Sequence, residues 1–146
     1  MKVMLDEGAK MPTRAHPWDA GLDLYAPVDV TVPNSMMFPF DEIKLGSVTI
    51  DTGVHMEIPE GYVGFIKSKS GLNVNHGLTA EGVIDAHYTG SIRVKLYNHQ
   101  HTPYSFKAGD KIAQLVILPC VMPHLELVDS LEETDRGDNG FGSTGR

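Results

Sequence analysis

The stretch Ser47-Val-Thr-Ile-Asp-Thr-Gly-Val-His-Met-Glu-Ile-Pro-Glu-Gly-Tyr-Val-Gly-Phe-Ile66 decides the fold. Ser47–Thr52 and Val54–Ile58 alternate apolar and polar residues, the pattern of a half-buried strand. Pro59-Glu-Gly61 is a turn, and Tyr62–Ile66 opens the next strand. The same signal recurs outward in both directions. Val28-Asp-Val-Thr-Val32 alternates and meets Pro33, Ser91–Tyr97 alternates cleanly, and Ile112–Leu118 reads as a buried strand. The 15 Gly and 9 Pro fall between these runs as punctuation. No window of ten residues carries a helical period. Many short strands with closely spaced turns predict an all-β sandwich or barrel. Residues 34–41, with Met36, Met37, Phe38 and Phe40 around Pro39, read as a turn with surplus apolar residues, either a core flap or an interface patch.

At 146 residues the chain is long enough for one domain with a real core. It contains no apolar run of membrane-spanning length and no apolar leader, so neither a membrane span nor a signal peptide is expected. One cysteine, Cys120, excludes a disulfide within the chain. It lies in the apolar run Ile112–Val121 and is expected to be a small core residue. A reducing cytoplasm is the expected location. The net charge of −7 argues against binding long nucleic acid, yet leaves room for a small anion held by local cations.

Five segments carry side chains that a plain β-sandwich does not require. In Asp19-Ala-Gly-Leu-Asp-Leu-Tyr-Ala26, Leu22, Leu24 and Ala26 form one face of a strand and Asp23 the other. Lys67-Ser-Lys-Ser-Gly-Leu72 reads as a polar loop or a phosphate cradle. Glu81-Gly-Val-Ile-Asp-Ala-His-Tyr-Thr-Gly90 delivers Asp85 to a strand end, with Tyr88 three residues on. An Asp there serves either as a general base or as a turn cap. His87 has no second His at metal-ligand spacing. Lys107-Ala-Gly-Asp-Lys-Ile-Ala-Gln-Leu115 reads as a hairpin-type turn feeding a buried strand. There Gln114 is either a satisfied core amide or a ligand contact. Arg136-Gly-Asp-Asn-Gly-Phe-Gly-Ser-Thr-Gly-Arg146 is too glycine-rich for a helix or core strand. It is either a frayed end or a lid, with glycine amides and Ser143 and Thr144 as donors, Arg136 as charge and Phe141 as a stacking ring.

In this order, these segments resemble the five motifs of the trimeric dUTPase family, the dUTP diphosphatases, over residues 12–146. The resemblance implies a β-jelly roll with a C-terminal arm, split here as 1–128 for the hydrolase domain and 129–146 for linker and arm. It implies a homotrimer with sites shared between subunits. The implied activity is hydrolysis of dUTP to dUMP and pyrophosphate, with Mg²⁺ held mainly by the triphosphate.

By position, Asp85 would activate the water that attacks the α-phosphorus, and Tyr88 would pack on the deoxyribose and exclude a 2′-hydroxyl. A hairpin around Ala80-Glu-Gly82, with Ile84 beside it, would bind the uracil edge. Lys69, Ser70, Gly71 and Gln114 would bind the α- and β-phosphates, and Asp23 would reach Mg²⁺ through water. Arg136, Gly142, Ser143 and Thr144 would hold the γ-phosphate, and Phe141 would cover the base. The chain departs from the pattern at Ser68-Lys69, where Pro-Arg is usual. It departs again at His87, where a second acid is common, and at Asn139, where glycine is usual. The alternatives on the same scaffold are a dCTP deaminase-like enzyme and a non-catalytic dUTP-sensing protein.

Overall fold

The computed structural model describes residues 1–38 and 42–137. Its strands are β1 (Val3–Leu5), β2 (Gly21–Tyr25), β3 (Val30–Val32), β4 (Met36–Phe38), β5 (Glu42–Lys44), β6 (Gly46–Asp51), β7 (Val54–Met56), β8 (Tyr62–Lys67), β9 (Leu78–Ile84), β10 (Arg93–Asn98), β11 (Tyr104–Phe106) and β12 (Lys111–Pro119), with one helix, α1 (Ser70–His76). Six strands form one curled antiparallel sheet in the order β2-β12-β8-β9-β10-β6. The pairs β1–β7, β3–β11 and β4–β5 complete the described residues. This is the expected all-β jelly roll.

The core is filled by the alternate residues that the sequence pattern selects. Leu22 and Leu24 of β2, Ile66 of β8, Leu78 and Ala80 of β9, Val94 and Leu96 of β10 and Leu115 of β12 are all buried in one cluster. Gly64 of β8 lets two of these layers close. A Cβ there would sit 2.8 Å from Ile58 Cδ1 and 3.1 Å from Leu115 Cδ1. The Pro59–Gly61 turn is present, with Tyr62 N–H on Pro59 C=O at 3.2 Å and Gly61 at φ 81°.

Four expectations are corrected. Residues 70–76 are a helix rather than a loop, closed by Gly77 in the left-handed region at φ 59°. Seven residues are too few to show a period, and α1 buries none of them fully. The Lys107–Asp110 turn is real, with Gly109 at φ 88° and Asp110 N–H on Lys107 C=O at 3.0 Å, but it is not a hairpin. Its flanking strands lie in different sheets, β11 on β3 and β12 on β2 and β8, so it carries the chain from one layer to the other. Cys120 is exposed, because it falls just past the end of β12. Finally, part of the 34–41 stretch is strand, since β4 pairs with β5; residues 39–41 lie outside the described residues.

Candidate active site

The first group of site residues sits on the outer face of the large sheet. Asp23, Gln114, Lys67 and Glu81 are partners in register across β2, β12, β8 and β9, so they form one polar row. A β-bulge at Ile112 builds this face. Lys111 lies opposite Tyr25 and Ala113 opposite Leu24, so Ile112 is the extra residue. The bulge lets Ile112 and Ala113 both be buried and puts Lys111 and Gln114, three apart, on the same face as Asp23.

Asp23 is 5% exposed, not solvated. Lys69 Nζ reaches one carboxylate oxygen at 2.5 Å and Lys111 Nζ the other at 2.6 Å. Burial is the largest single influence on the carboxyl and pushes its pKa up. The two ammonium groups together outweigh it and hold the carboxyl below the usual range. The bond to Asp23 correspondingly raises Lys111. Lys69 is thus committed to Asp23 in this structure, rather than standing free as a phosphate cation.

Gln114 resolves both ways. Its Nε2 donates to Ser68 C=O at 3.0 Å, and its side chain also lines a cleft with Asp19, Gly21, Asp23, Lys69 and Lys111. Gly21 makes the room: a Cβ there would fall 2.3 Å from Gln114 Oε1. Ser68, read from the sequence only as part of a polar loop or phosphate cradle, has a different role in the structure. Its hydroxyl accepts from Ala80 N–H at 2.9 Å and donates to Ala80 C=O at 3.2 Å. Proline, usual at that position in the resemblance, could make neither bond. Beside it, Ser70 and Gly71 are exposed at the start of α1, and Gly71 has open space where a side chain would stand. Amides of a first helical turn have no acceptor within their helix.

The second group surrounds the end of β9. Asp85 follows Ile84, the last strand residue, and is exposed. Tyr88 N–H closes a turn onto Asp85 C=O at 3.3 Å, with His87 at φ 66°, the only non-glycine at positive φ among the described residues. A turn with its third residue at positive φ is strained for a side-chain-bearing residue, and the hydrogen bonds around it oppose that strain. Tyr88 hydroxyl donates to Ser91 C=O at 3.0 Å. Gly90 lies under the ring, where a Cβ would be 2.5 Å from the hydroxyl oxygen.

Three base-site expectations change in form. Ala80-Glu-Gly82 is not a hairpin but the interior of β9. There the strand exchanges partners, pairing with β10 through Ala80 and with β8 from Glu81 onward. Ala80 has its amide and carbonyl occupied by Ser68, so it acts by holding the strand rather than by offering those groups to a base. Ile84 is buried in the core, so only its backbone could face a ligand.

The two groups are not brought together within one chain. Asp85 lies four residues along β9 from Glu81 in the polar row, a separation of roughly 13 Å at the rise of a strand. Arg136 lies in an exposed segment without helix or strand. Asn139, Phe141, Gly142, Ser143 and Thr144 lie outside the described residues. Among the described residues, no three His, Cys, Asp or Glu side chains are grouped to hold a metal ion.

The family model for dUTPase matches residues 7–145. The chain belongs to the dUTPase family. It is 43% identical over 142 residues to a probable deoxyuridine 5′-triphosphate nucleotidohydrolase of Schizosaccharomyces pombe, covering 97% of this chain and 94% of that protein. To the deoxyuridine 5′-triphosphate nucleotidohydrolase of Arabidopsis thaliana it is again 43% identical, covering 97% of this chain and 80% of that one. Among solved structures, it resembles the Staphylococcus bacteriophage 80alpha dUTPase with dUpNHpp, with TM-score 0.86, 30% identity and coverage of 99% and 98% of the two chains. A point mutant of the dUTPase of phage phi11 of S. aureus, described with a structural Mg(II) ion, matches with TM-score 0.76 and 31% identity, covering 90% and 98%.

Proposed function

We propose that this dUTPase hydrolyses dUTP to dUMP and pyrophosphate, with Asp85 as the general base, keeping uracil out of DNA and supplying dUMP. One observation carries the reading. Asp85 stands exposed at a strand end, in a turn shared with Tyr88, within the family's third motif. Water held by an exposed carboxylate loses its proton as it attacks the α-phosphorus, a role worth ~10²–10⁴ in rate. Tyr88, fixed over Gly90 and tied to Ser91, is a rigid ring for the deoxyribose and leaves no room for a 2′-hydroxyl. Replacing it by Ala is expected to raise UTP turnover relative to dUTP at least tenfold, read from the two kcat/KM values, because the steric exclusion is gone.

Phosphate binding falls to the other group: the Ser70 and Gly71 amides, Gln114, and the Lys69–Lys111 pair, whose two positive charges exceed the one negative charge of the Asp23 that holds them. Asp23 does not fit as a direct metal ligand, because an ammonium holds each of its oxygens. Mg²⁺ therefore belongs to this reading as an ion on the triphosphate, where it would neutralise phosphate charge. No protein cage is assigned to it. Residues 1–128 form the hydrolase domain and 129–146 the linker and arm in this proposal, with Arg136, Gly142, Ser143 and Thr144 on the γ-phosphate and Phe141 over the base.

The distance between the two groups supports a site completed by another copy of the chain, and we assign a homotrimer. An apolar patch supports it too. On the outer face, Val63 faces Leu118 while Phe65 faces both Val116 and Val83 in register, and Val83 and Leu118 are exposed. Such a patch is suited to burial against a second copy. No helix of the described residues is long and apolar enough to cross a membrane. The lone thiol and the acidic balance support a cytoplasmic enzyme acting on a nucleotide rather than on long nucleic acid.

The test is pyrophosphate release from each deoxynucleoside and ribonucleoside triphosphate. Release confined to dUTP is expected. Ammonia from dCTP would favour a deaminase, and dUTP binding without turnover would favour a sensor.

A further inference from the structure

His55 of β7 faces two acceptors at once. Its Nδ1 is 2.8 Å from Thr89 C=O, and its Nε2 is 3.2 Å from Asp6 Oδ2. The His55 side chain is 18% exposed, so most of the ring is held against the protein, while that of Asp6 is 57% exposed. A neutral imidazole has one N–H and would set a nitrogen lone pair against one of these oxygens, whereas imidazolium donates to both. We propose that His55 is a positioning residue for the reaction: as an imidazolium it ties Thr89 to the β1–β7 pair and holds the Asp85–Tyr88 turn in its working shape. This rests on the reading of Asp85 and Tyr88 given above.

Thr89 is the residue after Tyr88, and the turn it stabilises carries the strained His87. The other ties of this loop do not involve a group that titrates near neutrality. Tyr88 hydroxyl bonds Ser91 C=O, Ser91 hydroxyl bonds Asp51, and Ile92 N–H bonds Val54 C=O at 2.8 Å. The charged groups facing His55 are Asp6 after β1, Asp51 of β6 with its partner Arg93 of β10, and the Lys2–Glu57 pair flanking the same pocket, with His87 of the turn acting on Glu57. The bond to Thr89 C=O, then that to Asp6, raises His55 above its ordinary value, and burial opposes them. A raised folded-state pKa means the tie is intact below the ordinary histidine value of about 6.5 and is lost as pH rises through the folded value.

The experiment uses the full chain, His55→Gln and Asp6→Asn. It follows the His55 ring titration by NMR and kcat and KM for dUTP from about pH 5.5 to 9, spanning the histidine range. In the wild type, His55 is expected to titrate above its ordinary value. kcat/KM should fall roughly three- to tenfold at the same midpoint, the scale of one ordinary hydrogen bond. Asp6→Asn should move both midpoints down together, and His55→Gln should abolish that limb. An unchanged profile in His55→Gln, a ring that titrates at or below its ordinary value, or two midpoints that separate in Asp6→Asn would each overturn the proposal. Should His55→Gln fail to fold, the paired midpoints in Asp6→Asn decide it. The ring titration does not depend on turnover. Full turnover in Asp85→Asn would therefore remove the catalytic reading while leaving the His55 measurement interpretable.

Discussion

Asp85 and Asp23 are both carboxylates of one sheet, and their surroundings give them opposite work. Asp85 is exposed and bound only to its own turn, free to meet a water. Asp85→Asn should retain dUTP binding by calorimetry while kcat drops at least ~10²-fold. Asp23 is buried between two ammonium groups and serves to set the face on which phosphate would lie. Its folded carboxyl binds a proton less readily than the unfolded one, so the pairing stabilises fully above about pH 4 and is lost as pH falls through the lower folded value. Asp23→Asn should therefore lower the thermal midpoint by several degrees at pH 7, and the gap to wild type should close toward about pH 2. Asp85 could be picked out from sequence, because a strand end followed by a turn is a local signal. The partners of Asp23 could not, because Lys69 and Lys111 lie 46 and 88 positions away in sequence and meet it only through sheet pairing.

The strands were legible because burial on one face imposes a two-residue period that no other element mimics. Ser47–Ile66 shows it, with β6, β7 and β8 close to their expected bounds. Where the period fails, so does the reading. The bulge at Ile112 shifts register by one residue without leaving a mark in composition, yet it is what places Lys111 beside Asp23. Helix α1 has two turns, none of its residues fully buried, and three residues of modest helix propensity in Asn73-Val-Asn75, so tertiary contacts and the Gly77 cap must maintain it. The bond of Ser68 to β9 could not be read from the sequence, because its hydroxyl bonds are made to a strand twelve residues on. At this scale Gly64 is the sharpest probe. Gly64→Ala forces a methyl against Ile58 and Leu115, and urea unfolding should report a loss of about 1–3 kcal/mol, the usual cost of overpacking.

For the whole molecule, the decisive fact is the spacing along β9. Asp85 stands just past one end of that strand and Glu81 of the polar row at its middle, roughly 13 Å apart, so the proposed water-activating carboxylate and the proposed phosphate face are separate on one chain. Copies related by symmetry, packed through the apolar outer face, would join the half-sites of different chains. The dUTPase family membership says what the site acts on, and the spacing along β9 is what the proposal of a site shared between copies rests on. The direct measurement is complementation. Asp85→Asn lacks one half, and the double variant Lys69→Ala with Gln114→Ala lacks the other; each alone should hydrolyse dUTP at least tenfold more slowly than wild type. Co-expressed and purified together, they should recover roughly a quarter of wild-type pyrophosphate release, because random mixing in a closed symmetric oligomer leaves about that fraction of shared sites intact. Activity no higher than that of the two variants assayed separately would contradict a site shared between chains.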